Sequence, residues 1–121
     1  MLIEYEGEIN NHNRKVIYKD WGYEIVFANN EGYCGKEIVC KDKKWSSYGD
    51  YHWHPEKDET FWVIHGELVL DIEGTEHLIH KGCGYRIKPG VKHRFRSNQS
   101  VCRFIEVSTT HYEHDSIRGK L

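Results

Sequence analysis

The stretch HWHPEKDETFWVIHGE, residues 52–67, sets two histidines one residue apart, a glutamate five positions after the second, and a glycine just before its end. Alternate side chains of a strand share a face, so His52 and His54 point the same way while Trp53 points to the other side. Two imidazoles on one face can grip one ion. Pro55 ends that strand, residues 56–58 turn, and the next strand begins at Glu59, whose carboxylate faces back toward the pair if the two strands are antiparallel neighbours. Gly66 closes this second strand where a tight turn is needed. A third histidine, His93, follows the adjacent Pro89 and Gly90 and starts the run HRFR. Three imidazoles and one carboxylate suit one divalent first-row ion such as Mn, Fe, Co, Ni or Zn. Held by four side chains, an octahedral ion keeps two positions for water or substrate, which is an open, catalytic arrangement. The competing reading, histidines at the surface or satisfied in the core, does not account for the combined spacing.

The remaining histidines read differently. His65 has the strand parity of Glu59, Phe61 and Val63, but it lies at the far end, roughly 20 Å from Glu59 at ~3.3 Å per residue. It is expected to be a turn residue and not a ligand. His12, His77, His80, His111 and His114 sit in polar surroundings and are expected at the surface. Cys34, Cys40, Cys83 and Cys102 form no C-x-x-C pair and lie in strand-like runs, which predicts buried free thiols that pack as small hydrophobes.

Elements must position these groups, and the chain allows one domain. Its 121 residues are 38% hydrophobic, 30% charged and 13% aromatic, enough for a single packed core over residues 1–121. The net charge of −2, with both signs interspersed, leaves no basic face for a phosphate backbone, so nucleic acid is not an expected partner. The acidic start MLIEYEGEIN does not read as a signal peptide, and no run approaches the ~20 apolar residues of a membrane span. No membrane contact and a cytoplasmic location are expected.

Short runs rich in Val, Ile, Tyr, Phe and Trp recur between Gly, Asn, Asp and Pro, without sustained helical spacing. KVIYKD, YEIVFAN, GKEIVCKD, SSYGDYHWH, ETFWVIHG, ELVLDIEG, TEHLIHKG, GYRIKPG, KHRFRSN and VCRFIEVST read as strands. That pattern predicts an all-β sandwich or closed barrel. The tail HYEHDSIRGKL is expected to be a last helical turn or a strap across the barrel.

The spacing in residues 46–66 resembles the first cupin motif, G-x5-H-x-H-x3,4-E-x6-G, through His52, His54, Glu59 and Gly66. Residues 82–98 resemble the second, G-x5-P-x-G-x2-H-x3-N, through Gly90 and His93. Ser46 and Ser97 replace a Gly and an Asn of these patterns, and Pro89 and Gly90 are adjacent rather than spaced, changes that bear on loop shape more than on ligation. The resemblance implies a single-domain cupin, a jelly-roll barrel with one divalent ion inside it. It also implies a homodimer, for which KVIYKD and YEIVFAN carry more apolar surface than one short strand needs.

The flanks are similar to small cupins resembling the C-terminal domain of type II mannose-6-phosphate isomerases. Trp21, Gly22, Glu24, Tyr33, Lys36, Glu106, Asp115 and Arg118 fall on that pattern. The implied activity is isomerase or epimerase chemistry on a carbohydrate, a sugar or sugar phosphate. Glu106 and Lys36 are the candidate acid/base groups, and Arg118 could fork onto a phosphate or carboxylate. Two alternatives stay open: a metal-dependent dioxygenase, and a non-catalytic sugar-binding domain in which Phe61, Phe95 and Phe104 pack against the ligand.

Overall fold

A computed structural model describes residues 1–2 and 14–121; the expectation for His12 lies outside them. The described strands are β1 (Lys15–Lys19), β2 (Gly22–Asn29), β3 (Cys34–Lys41), β4 (Tyr51–Trp53), β5 (Glu59–His65) and β6 (Glu67–Ile72). They continue with β7 (Thr75–His80), β8 (Gly84–Ile87), β9 (His93–Ser97), β10 (Val101–Ser108) and β11 (Ile117–Gly119). Each expected strand segment contains one, with one shift. Ser46–Gly49 is a short helical turn in which Ser47 and Tyr48 are left-handed, and β4 starts only at Tyr51. No helix among the described residues is long and apolar enough to cross a membrane.

The strands form two antiparallel sheets, β1-β2-β3-β10-β5-β8 and β11-β4-β9-β6-β7, packed as a jelly roll. Strand alternation decides what fills the space between them. On β5, Glu59, Phe61 and Val63 are buried, and on β10 the same holds for Cys102, Phe104 and Glu106. Phe61, Phe95 and Phe104 meet with ring centroids 4.8–6.1 Å apart at the centre of a core that also holds Trp21, Ile38, Leu68, Leu70 and Ile87. Cross-strand register stacks Val63, Phe104 and Ile38 in one row and Phe61, Glu106 and Lys36 in the next. One end of the barrel interior is therefore apolar and the other carries charge.

Gly66 joins β5 of the first sheet to β6 of the second, with φ of +73°. A Cβ there would sit 2.2 Å from the Val101 carbonyl oxygen, a backbone atom that cannot swing away. Gly66→Ala combines a left-handed backbone with this clash, and it is expected to cost about 2–4 kcal/mol in urea denaturation. A midpoint unchanged from the parent protein would show that the corner can relax.

Two expectations about individual residues are corrected, and one condition on strand pairing is not met. Cys83 is exposed in the turn after β7, unlike the buried Cys34, Cys40 and Cys102. His111 is not a surface residue: its side chain retains 17% exposure and faces the barrel. Strands β4 and β5 are not neighbours but belong to opposite sheets.

Candidate metal centre

His52 lies on β4 and His54 directly follows it, and His93 opens β9 directly opposite His52 in the ladder. Glu59 reaches them across the barrel from the other sheet. Ring centroids lie 4.5 Å apart for His52 and His54, 5.0 Å for His52 and His93, and 6.3 Å for His54 and His93. Glu59 Oε1 approaches His93 Nε2 to 3.0 Å, and Oε2 stands 3.9 Å from His54 Nε2. His65 lies at the far end of β5, exposed and opposite Arg103.

The donor chemistry fits an ion. His54 donates its Nδ1–H to the carbonyl of Asp115 at 3.0 Å, and His93 donates its own to the carbonyl of Val91 at 3.0 Å. Both Nε2 atoms are thereby left as lone-pair donors, the orienting device usual for metal-bound histidine. His54 Nε2, His93 Nε2, Glu59 Oε1 and Glu106 Oε2 are buried without a hydrogen-bond partner, which is costly for an interior polar atom unless something else satisfies it. The contact between Glu59 and His93 is close without being directed as a hydrogen bond. Among the described residues, no group of three or more His, Cys, Asp or Glu side chains is arranged closely enough to hold a metal ion as it stands. Donor type and orientation fit the ion, while Glu59 leans toward His93 and a lysine.

That lysine, Lys57, is 3% exposed, and sequence reasoning missed it because a lysine in a turn ordinarily lies in solvent. Its Nζ lies 2.8 Å from Glu106 Oε2, 3.4 Å from Glu59 Oε2 and 3.2 Å from His111 Nδ1. His111 passes the contact outward through Nε2 to Glu113, at 3.1 Å. Lys36, beside Glu106 in the ladder, pairs with Glu24 at 3.5 Å. The lysines and carboxylates thus partly neutralise one another inside the barrel.

Burial favours uncharged forms, and neighbours decide the balance. Burial and the adjacent His93 and His54 push His52 well below the ordinary histidine range, and burial takes His54 down to about 4. His93 is raised: burial opposes its charge, but Glu59 outweighs it. Burial alone would raise Glu59, yet His93 and Lys57 bring it below the carboxylate range. Glu106 is raised by burial and by Glu59, against the pull of Lys36 and Lys57.

A cavity of about 510 Å³ opens on this cluster, and His52, His54, Glu59, Lys36, Lys57, Glu106, His111 and Arg118 line it. Phe61 and Phe95 form part of its wall. Phe104 has no exposed surface and packs beneath them, so of the three phenylalanines it sits in the core and away from any ligand. Arg118, on β11 opposite His52, donates from Nε to Ser47 Oγ at 3.2 Å.

Geometry and comparison agree on class. Residues 44–108 match the cupin domain family, and the chain belongs to it. Among curated proteins, it is 30% identical over 70 residues to protein SchB of Streptomyces halstedii, covering 58% of this chain and 48% of that one. It is 32% identical over 69 residues to the uncharacterized protein YdbB of Bacillus subtilis, covering 56% of this chain and 58% of that one. The aligned part is thus about half the length of these curated relatives. Among solved structures, KdgF from Halomonas sp. superposes with a TM-score of 0.74 at 12% identity, covering 91% of this chain and 98% of that one. The nucleoside dehydratase Pac13 gives 0.74 at 10% identity, with 100% and 93% covered. The capsular polysaccharide assembling protein CapF of Staphylococcus aureus gives 0.74 at 17%, with 89% and 34% covered. At such identities these likenesses establish the fold alone.

Proposed function

We propose that this chain is a divalent-metal-dependent cupin acting on a sugar or sugar phosphate, moving a proton between adjacent carbons as an isomerase does, or off and back onto one carbon as an epimerase does. The observation that carries the reading is Glu106: a carboxyl 4% exposed, on the cavity wall, 2.8 Å from the Lys57 ammonium. Such a group, kept from water and held in place, is what a proton transfer at carbon requires. His52, His54, Glu59 and His93 would hold the ion, which supplies Lewis-acid polarisation of a substrate carbonyl or hydroxyl oxygen. Glu106 takes the proton from one carbon and returns it to the next, while Lys57 fixes the carboxylate's orientation. Lys36 offers a second donor from the neighbouring strand, and Arg118 at the cavity wall accepts a phosphate or carboxylate group. Relatives of this fold include proteins named for a nucleoside dehydratase and for capsular polysaccharide assembly, which supports a carbohydrate-type substrate.

A homodimer belongs to the same proposal. Phe27, Trp62, Ile64 and Val107 leave apolar surface exposed on the first sheet, where a second copy could cover it.

The test is solvent exchange. Metal-loaded protein in deuterated water should exchange the C2 proton of an aldose phosphate without consuming oxygen, and Glu106→Gln should slow that exchange by about 100-fold or more. Oxygen uptake coupled to substrate loss would replace this reading with a dioxygenase. Saturable sugar binding with no exchange would replace it with a binding domain.

A further inference from the structure

His93 and His54 are oriented by different means. The Nδ1–H of His93 finds its acceptor two residues away, in the turn that precedes its own strand. His54 finds its acceptor 61 residues away, at the Asp115 carbonyl of the C-terminal segment. What holds Asp115 there is its own side chain. The carboxylate is 4% exposed, with Oδ1 accepting from the Glu56 N–H and Oδ2 from the Lys57 N–H, both at 3.1 Å. One residue thus grips the turn between β4 and β5 with its side chain and aims His54 with its main chain.

The rest of the segment is tied down separately. Asn29 exchanges hydrogen bonds with the main chain of His111 at 2.9 and 3.1 Å, Thr110 Oγ1 donates to the Asn30 carbonyl, and β11 pairs with β4. These contacts keep the segment on the barrel. Asp115 is the point at which its position is passed to an imidazole.

We propose that Asp115 is a positioning residue for the metal centre: its carboxylate locks the 55–58 turn so that its carbonyl sets the tautomer and direction of His54, coupling ion affinity to docking of the C-terminal segment. This rests on the metal reading above. Outer partners that orient a histidine ligand ordinarily contribute about 10- to 100-fold to metal affinity, because they hold the lone pair where the ion needs it.

The experiment compares the full-length parent protein, Asp115→Ala, Asp115→Asn and Asp71→Asn. Asp71 is a matched control: a carboxylate 2% exposed on the second sheet, bonded to Tyr51, Arg94 and the Gly74 N–H. Zn2+ affinity is measured by competition with a chromophoric chelator, and the His54 tautomer by nitrogen NMR of the metal-free proteins. Asp115→Ala should bind Zn2+ about 10-fold or more weakly and show His54 as a tautomer mixture, and Asp115→Asn should fall between it and the parent. Asp71→Asn should lose thermal stability while keeping affinity and tautomer. Parental affinity together with a single Nδ1–H tautomer in Asp115→Ala would overturn the proposal, as would equal affinity losses in Asp115→Ala and Asp71→Asn. If the parent protein itself takes up no Zn2+, the metal reading fails, and the tautomer comparison still decides what Asp115 does to His54.

Discussion

Lys57→Met should unfold at a markedly lower urea concentration than the parent protein, with a loss of about 3–5 kcal/mol at pH 8, the usual cost of breaking a buried ion pair from one side. Methionine keeps most of the volume, so the effect isolates the charge. The ammonium lies 2.8 Å from Glu106 and 3.4 Å from Glu59, both almost fully buried. Without it, Glu106 faces the interior with its nearest cation gone, and Glu59 is left with His93.

The pH dependence identifies the cause. Burial and Glu59 already raise Glu106, and removing Lys57 raises it further. A folded-state pKa above the unfolded value means that the fold binds more protons, so the variant loses stability as pH rises from about 4.5 through the raised value. The penalty should accordingly be larger at pH 8 than at pH 5. A penalty under about 1 kcal/mol at both would mean that solvent, not Lys57, compensates the two carboxylates.

Metal content per chain is the second large effect. His52→Ala, His54→Ala, Glu59→Ala and His93→Ala should each lower it and remove the thermal stabilisation that the ion confers, while His65→Ala should keep the ion. The contrast is geometric: His52, His54 and Glu59 line one cavity with His93 packed against Glu59 at 3.0 Å, and His65 is exposed at the other end of β5. Acid should release the ion, since imidazoles bind only when neutral, and Glu59 favours the protonated form of metal-free His93. Full occupancy in His52→Ala and His93→Ala, or loss in His65→Ala alone, would overturn the assignment.

The four candidate ligands were legible in the sequence because their signals are local. Period-two alternation puts His52 and His54 on one face, a strand start is visible at Glu59 and at His93, and Gly66 marks a corner that its positive φ explains. Glu106 and Lys36 were named through the family resemblance alone, and both line the cavity. Parity cannot say which sheet a strand joins. Glu59 reaches the histidines across the barrel and not from a neighbouring strand, because pairing is decided by contacts far apart in the chain.

Lys57, His111 and Asp115 needed the tertiary structure for the same reason. Each sits in a polar, turn-like stretch whose composition predicts solvent. Lys57 is drawn inward only because two carboxylates from β5 and β10 meet there to offset its desolvation. His111 and Asp115 face the site only because Asn29 and Asn30, together with the 55–58 turn, hold the C-terminal segment against the barrel. The sequence by itself determined ten of the eleven described strands and the four candidate ligands, while β11 in the tail did not show. Which charges are buried together, and which remote carbonyl orients His54, only the closed barrel decided, because those energies exist only once distant segments exclude water from one another.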